Sequence, residues 1–168
     1  MAYSAHFAHA DAVVAHISGL VPTLANPLLE AKYVGFITIA AVTVYELAIK
    51  EIFIEFAKKK HRVLGNFTEK YFERLNGRIK TKEIQETYLP RFGDKYVAQF
   101  KKQLAKTSAA YLKANKRDIV SSYRNVITWR HEFAHEGRIN VTATYQEAAQ
   151  AYEDGKVVIA CLAQAMVR

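Results

Sequence analysis

The 168-residue sequence contains little cysteine, little proline and no long uninterrupted apolar run. A single cysteine, Cys161, allows no internal disulfide and suits a reducing compartment. No basic leader followed by an apolar block opens the chain, so we expect no signal peptide. The most hydrophobic stretch, residues 34–56, is interrupted by four charged residues: Glu46, Lys50, Glu51 and Glu55. Those charges exclude a membrane span, and we expect a cytoplasmic protein without a membrane partner.

Helical periodicity dominates the chain. Prolines stand only where helices would begin or end: Pro22, Pro27 and Pro90. The spacing of apolar residues predicts one helix from about Ala5 to Leu20 and a long one from about Glu30 to Lys60. Residues 66–113 predict two shorter helices, separated near LPRFGD. The β-branched segment FITIAAVTV at 36–44 is the one place where a strand is conceivable, and the 3.6-residue rhythm after it favours a helix.

Two further helices complete the predicted fold. Asp118 can cap a helix that contains IVSSYRNVITWRHEFAH, and Gly137 can end it. Thr144 and Glu147 match a capping box at the start of a last helix, which Gly155 interrupts at some cost. We therefore predict an all-α fold: an antiparallel bundle of about five helices, with residues 1–168 in one domain.

Positive charge is concentrated in the middle of the chain, whose formal net charge is +8. Residues 58–138 hold 20 Lys and Arg against 8 Asp and Glu, whereas the other residues hold 4 against 8. A basic middle is typical of a surface that faces a polyanion such as RNA, although a solvated helix face has the same composition. One basic cluster can bind an RNA backbone or stabilise the end of its helix: Lys58, Lys59, Lys60 and Arg62.

The segment WRHEFAHEG supports two incompatible interpretations. The first is the zinc signature HExxH, in which His131 and His135 share a helical face and bind the metal while Glu132 activates water. Catalytic zinc needs a third protein ligand. Two later glutamates are available: Glu147 and Glu153. No upstream segment convincingly predicts the strand with which such peptidases hold their substrate, so the zinc metallopeptidase remains an alternative.

The second interpretation is RxxxxH, formed by Arg130 and His135, which needs no metal. In this frame the segment resembles the signature of the HEPN family, particularly its RiboL-PSP-like branch. There an arginine, a polar residue, three variable positions and a histidine are followed by glycine. Here His131 stands at the polar position, where asparagine is usual, and Gly137 comes one position late. Three other segments are similar to family patterns: YELAIKEIF, RFGDKYVAQFKKQL and VTATYQEAAQAYEDGKVVIACL.

The resemblance covers about residues 30–165, after an N-terminal helix and turn at 1–29, and implies an RNA substrate. HEPN ribonucleases need no metal and no other cofactor. A histidine takes the proton from a 2′-hydroxyl and an arginine stabilises the charge on the phosphate, which leaves a 2′,3′-cyclic phosphate and a 5′-hydroxyl. On the matching positions, His135 is the acid or base, Arg130 is the phosphate clamp and His131 is their polar partner.

A second register of the motif stays open, in which Arg124 and Asn125 pair with His131. Arg124 and His131 are seven residues apart and lie nearly on one helical face, so Arg124 and Asn125 are candidate RNA contacts. Arg130 and His135 are 140° apart on an ideal helix. A long guanidinium stem, a frayed helix end or a second subunit must bring them together. Family members join two motifs across a dimer cleft, so the resemblance implies a homodimer.

Three functions follow from the sequence. The first is a HEPN-type endoribonuclease, acting as a toxin or an antiviral effector, with an antitoxin or a nucleotidyltransferase as a candidate partner. The second is a non-catalytic HEPN module that binds RNA or a protein. The third is the zinc metallopeptidase.

Overall fold

The computed structural model describes residues 2–24, 26–73, 75 and 77–167. This part of the chain contains seven α-helices and no strand. The all-α prediction is therefore confirmed, and the number of helices exceeds the predicted five. None of the helices described is both long enough and apolar enough to cross a membrane.

The helices follow one another with short connections. They are α1 (Phe7–Leu20), α2 (Pro27–Lys60), α3 (Arg62–Phe72), α4 (Thr81–Glu83), α5 (Asp94–Asn115), α6 (Ile119–Glu136) and α7 (Tyr145–Ala165). A 3₁₀ turn precedes α1, and α4 continues as a π-helical and then a 3₁₀ segment up to Arg91. The prediction of two helices within residues 66–113 missed this extra element. Gly93, with φ of 121°, separates it from α5, and glycine adopts that backbone conformation most readily.

The predicted helix caps are present. Asn26 accepts hydrogen bonds from the backbone at the start of α2, which begins three residues earlier than predicted. Asp118 caps α6 by accepting from two backbone N–H groups, and Gly137 ends α6 in the left-handed conformation. The capping box of Thr144 and Glu147 opens α7 as predicted. These local contacts define the two ends of α6, the helix that carries the WRHEFAHEG segment.

Three stacked tyrosines fix α2, α6 and α7 relative to one another. The ring of Tyr45 on α2 stacks on Tyr123 of α6 at 5.4 Å and on Tyr152 of α7 at 5.8 Å between centroids. The Tyr45 hydroxyl donates to the carbonyl of Tyr152 at 2.6 Å. A Cβ atom on Gly155 would overlap that hydroxyl. The glycine that weakens α7 locally therefore permits the side chain of Tyr45 to lie against the backbone of α7.

A buried carboxylate joins the same helices to α5. Asp154 on α7 is 0% exposed. It accepts hydrogen bonds from the Tyr111 hydroxyl at 2.7 Å, from the Ser122 hydroxyl at 2.8 Å and from Arg117 Nε at 3.1 Å. Burial acts to raise the pKa of this carboxyl, but the donors outweigh burial, and the net pKa lies below its ordinary value.

Residues of the N-terminal segment share the central core. Tyr3, Phe7 and Ala10 are buried in the same apolar cluster as the middle of α2. Cys161 is also buried there, and burial raises the pKa of its thiol. A buried, protonated thiol is an unreactive packing group, as expected from its apolar sequence context.

Candidate active site

A cleft of about 360 Å³ opens where α2, α6 and the segment before α4 meet. The three residues predicted as catalytic all line it: Arg130, His131 and His135. The remaining lining residues are Val42, Gly77, Arg78, Lys80, Glu83, Ile127 and Thr128. Val42 is the only α2 residue among them, so the walls of the cleft are formed mainly by α6 and by residues 77–83.

Arg130 and His135 touch within one chain. The Arg130 Nη1 atom lies 2.8 Å from His135 Nε2. The last turn of α6 is wider than an α-turn, because the N–H groups of Gly137 and Arg138 both donate to the carbonyl of Glu132. An ideal helix places Arg130 and His135 140° apart around its axis. The long side chain of Arg130 spans that separation, and no second subunit is needed to join this pair.

The contact also constrains the protonation of the imidazole. A guanidinium group only donates hydrogen bonds, so His135 Nε2 is the acceptor and the ring proton is on Nδ1. A histidine in this neutral form can accept a proton from a hydroxyl group. The side chain of His135 is exposed and that of Arg130 is half-buried, so a ligand that enters the cleft can reach both.

His131 lies next to this pair and has a carboxylate beside it. Its ring centroid is 5.1 Å from that of His135. His131 Nε2 is 3.6 Å from a carboxylate oxygen of Glu136, the extra residue that delays the glycine, and Arg138 Nε is 3.2 Å from the other oxygen. No carboxylate among the described residues forms an ion pair with Arg130. Its positive charge therefore remains available to a phosphate.

Residues 77–80, which we call the basic loop, supply two cations that were not predicted from the sequence. The Gly77 N–H donates to Glu46 Oε1 on α2 at 2.6 Å, and the Gly77 backbone has φ of 74°. Arg78 and Lys80 follow and line the cleft on the side opposite α6. A glycine followed closely by two basic residues was visible in the sequence as GRIK. The position of these residues beside the motif was not visible in the sequence, because it depends on the contact between Gly77 and Glu46, which are 31 residues apart.

Two tyrosine hydroxyls hold the rest of the basic loop. Tyr88 donates to the carbonyl of Arg78 and Tyr123 donates to the carbonyl of Ile79, each at 2.7 Å. Burial raises the pKa of Tyr88 to about 12 and also raises that of Tyr123. Both phenols therefore keep their protons at neutral pH and remain donors. The basic loop is attached to the core at three consecutive residues.

The arginine and the asparagine of the alternative register lie elsewhere on α6, whereas its histidine, His131, lines the cleft. Arg124 and Asn125 are exposed and do not line the cleft. Asn125 lines a different cavity, which it shares with Trp129 and Asp154. Among the described residues Arg124 has no hydrogen bond or ion pair, and it makes no contact with His131. The geometry therefore favours the register of Arg130 and His135.

The basic cluster at 58–62 is also separate from the cleft. Lys58, Lys59 and Lys60 form the last turn of α2, and Arg62 opens α3. Lys58 lies roughly 24 Å from Val42 along the helix axis, at 1.5 Å per residue. Its ammonium group pairs with Glu69 at 2.9 Å, and Lys60 lies over the ring of Phe56 at 5.3 Å. The position of this cluster suits stabilisation of the helix end.

The described residues do not fit catalytic zinc. Glu147 is occupied in the capping box of α7, and Glu153 pairs with Lys156 at 2.8 Å. Neither lies with His131 and His135, and no group of three potential ligands in the described chain is placed to hold a metal ion. No strand accompanies α6 in the described chain either. The metallopeptidase interpretation therefore lacks both its third ligand and its substrate-holding strand.

The model of the RiboL-PSP-HEPN family matches residues 9–168. The match extends from α1 through α7 and includes the motif on α6, so it reaches beyond the 30–165 over which the sequence patterns carried the resemblance. Comparisons with curated proteins and with solved structures gave no match. Because the family match takes in nearly the whole chain, the protein belongs to the RiboL-PSP-HEPN family.

Proposed function

We propose that this protein is a metal-independent endoribonuclease whose reaction centre is the pair of Arg130 and His135. The observation that carries the proposal is the 2.8 Å contact between their side chains in an open cleft. A fixed guanidinium next to a neutral imidazole combines a phosphate ligand with a base. The cations of the basic loop add to the positive charge of the same cleft.

The proposed reaction starts when a phosphodiester enters between the two side chains and replaces their direct contact. Arg130 donates hydrogen bonds to the non-bridging phosphate oxygens and stabilises the charge that grows on them. His135 Nε2 takes the proton of the adjacent 2′-hydroxyl, and the 2′-oxygen attacks phosphorus. The bond from phosphorus to the 5′-oxygen breaks, and that oxygen takes up a proton from His131 in its protonated form, whose ring centroid lies 5.1 Å from that of His135. The products are a 2′,3′-cyclic phosphate and a 5′-hydroxyl.

An RNA cleavage assay in EDTA tests this proposal. The wild-type protein should cut a labelled single-stranded RNA, and Arg130→Ala or His135→Ala should each reduce the rate by at least about 100-fold. Mass spectrometry should find the cyclic phosphate on the 5′ fragment. His16→Ala, which removes an exposed histidine on α1, is the matched control and should cut at the wild-type rate. Circular dichroism melting verifies that every variant is folded.

Two outcomes contradict the enzyme. Activity that disappears in EDTA contradicts a metal-independent reaction. If the wild-type protein and His135→Ala bind RNA equally and neither cuts it, the protein is instead the non-catalytic RNA-binding module.

We also propose that two copies of the chain pair through the exposed apolar side chains of α2. Phe36 is 48% exposed and packs edge-to-face on Phe133, within the motif segment, at 5.5 Å between centroids. The same helix also exposes apolar side chains at Leu28, Leu29 and Leu47. Exposed apolar side chains of this kind on one helix mark interaction surfaces. Pairing here would bring two motif segments close to each other.

We infer a toxic or antiviral role in the cytoplasm, with an antitoxin or a nucleotidyltransferase as a candidate partner. The presence of a single cysteine supports a reducing compartment such as the cytoplasm. The toxic or antiviral role is inferred from the family resemblance and from a cleft that is open to solvent. Growth of a bacterial host that expresses the wild-type chain should stop, whereas His135→Ala should permit growth. Equal growth of both strains would contradict the toxic role.

A further inference from the structure

A second cavity adjoins the cleft, and the two share the side chains of Arg78 and Glu83. Each measures about 360 Å³, within the range of roughly 300–1,000 Å³ for pockets that hold small molecules. The other residues of the second cavity are Tyr71, Phe72, Leu75, Thr87 and Tyr88, of which Tyr71 is the exposed aromatic residue. A ligand longer than one nucleotide can therefore extend from His135 past Arg78 to the ring of Tyr71.

The second cavity contains one exposed aromatic ring against which a nucleobase can pack. Tyr71 lines the cavity and is 36% exposed, and the guanidinium of Arg91, which is outside the cavity lining, covers one face of the ring at 4.4 Å from the centroid. Aromatic rings and arginine planes are the surfaces on which proteins stack unpaired RNA bases. Arg78 stands at the junction of the two cavities, where the phosphate between two nucleotides would pass. Lys80 adds a second positive charge on the side of the cleft.

Arg78 is held in place without using its own charge. Its carbonyl accepts from Tyr88, and the flanking residues Gly77 and Ile79 are fixed by Glu46 and by the core. Among the described residues its guanidinium has no hydrogen bond or ion pair. A fixed backbone reduces the entropy lost when a phosphate binds, and an unpaired guanidinium has no ion pair to break first.

The carboxylate in the shared wall is already engaged. Glu83 accepts the backbone N–H of Lys80 at 2.8 Å, which opens the short helix α4. Glu83 keeps its negative charge in this cap, and the two cations beside it outnumber it: Arg78, which lines both cavities, and Lys80, which lines the cleft.

We propose that the two cavities bind consecutive nucleotides of one single-stranded RNA. The scissile phosphate lies at Arg130 and His135, the neighbouring phosphate at Arg78, and the next base against Tyr71 in the second cavity. The identity of the ligand rests on the proposed function. The inference adds a substrate-positioning residue and a minimum length, because an RNA with one phosphate leaves the second cavity empty.

Binding of 2′-O-methyl oligoribonucleotides tests this arrangement, because without a 2′ proton they cannot be cleaved. Fluorescence anisotropy would compare a dinucleotide with a hexanucleotide. Arg78→Ala should weaken hexanucleotide binding about tenfold and dinucleotide binding by a smaller factor, because Arg78 also lines the cleft. Tyr71→Ala, which changes a residue of the second cavity alone, should weaken only the hexanucleotide, also about tenfold. Lys113→Ala removes an exposed charge from the distant end of α5 and should alter neither affinity.

The experiments distinguish a missing second subsite from a missing ribonuclease activity. If Arg78→Ala is folded and binds both oligonucleotides like the wild type, or weakens both equally, the second subsite is refuted. If cleavage of ordinary RNA depends on His135 all the same, the ribonuclease stands without the subsite. If the hexanucleotide depends on Arg78 and ordinary RNA is never cut, the subsite stands and the enzyme does not.

Discussion

The ring of Phe133 on α6 lies directly against the backbone of Gly35 on α2, where α2 contributes no side chain to the contact. Phe133 is between His131 and His135 in the sequence. The contact thus holds the end of α6 against α2 just where the motif residues face the cleft. A methyl group at position 35 would overlap the ring.

Gly35→Ala should destabilise the protein and reduce RNA cleavage. Overpacking of this kind lowers the free energy of unfolding by about 1–3 kcal/mol. It would also displace α6 and so move Arg130 out of its present position in the cleft. Urea unfolding and the cleavage rate measure the two effects. Gly19→Ala is the matched control, because a Cβ there meets no atom within 4 Å. It should keep full activity and stabilise α1 by up to about 1 kcal/mol.

The buried carboxylate of Asp154 should make stability depend on acid pH. Its pKa in the folded protein is lowered by its donors, so its stabilisation is fully present above the unfolded pKa near 3.9. This stabilisation is lost as the pH falls through the lower pKa that Asp154 has in the folded protein. Asp154→Asn should therefore reduce the free energy of unfolding by about 2 kcal/mol at pH 7. The difference from the wild type should narrow below about pH 4.

Urea unfolding at pH 7, 5, 4 and 3 measures this difference. Glu153→Gln is the control, since it removes an exposed carboxylate from the same helix. A gap between wild type and Asp154→Asn that stays constant over the whole range would contradict the assignment.

Glu46 should act on RNA binding through the basic loop. Glu46→Ala leaves the Gly77 N–H without its acceptor and releases one of the three attachments of the loop. We expect weaker hexanucleotide binding, by about fivefold, because part of the binding energy must then order the loop. Glu55→Ala, nine positions further along α2, should bind like the wild type. Equal affinities for Glu46→Ala and the wild type would show that the loop keeps its position without this contact.

Phe36 should control the oligomeric state. Phe36→Asp places a charge in the exposed apolar face of α2 and should convert a dimer into a monomer, measured by light scattering after size-exclusion chromatography. Val141→Asp changes a more exposed apolar residue, at 75% exposure, outside this face and should leave the dimer intact. A wild-type chain that is monomeric at high micromolar concentration would rule out the proposed pairing.

Features that depend on neighbours a few residues away were visible in the sequence. The caps by Asp118 and by Thr144 with Glu147, and the stop at Gly137, involve residues no more than five positions apart. The cleft residues of α6 belong to the same class, because they share one helix. The sequence alone did not decide how Arg130 and His135, which an ideal helix separates by 140°, come together: by a long arginine side chain, a frayed helix end or a second subunit.

Features that depend on packing between distant segments were not visible. The basic loop lies beside α6 because Tyr123 reaches the carbonyl of Ile79, 44 residues earlier in the chain. Nothing in GRIK itself indicates that contact. Gly155 looked like a defect in α7 for the same reason, since its value becomes apparent only when Tyr45 from α2 is placed against it.

The contact between Tyr45 and Gly155 has a consequence for how other chains are judged. A homologous sequence could retain every letter of the arginine–histidine signature and carry a bulkier residue at the place of Gly155. Its α7 would then be pushed off the tyrosine stack, and the stack is what supports Tyr123 and, through it, the loop opposite the signature. Inspection of one glycine on a different helix would thus separate chains that can form this cleft from chains that carry the signature without it.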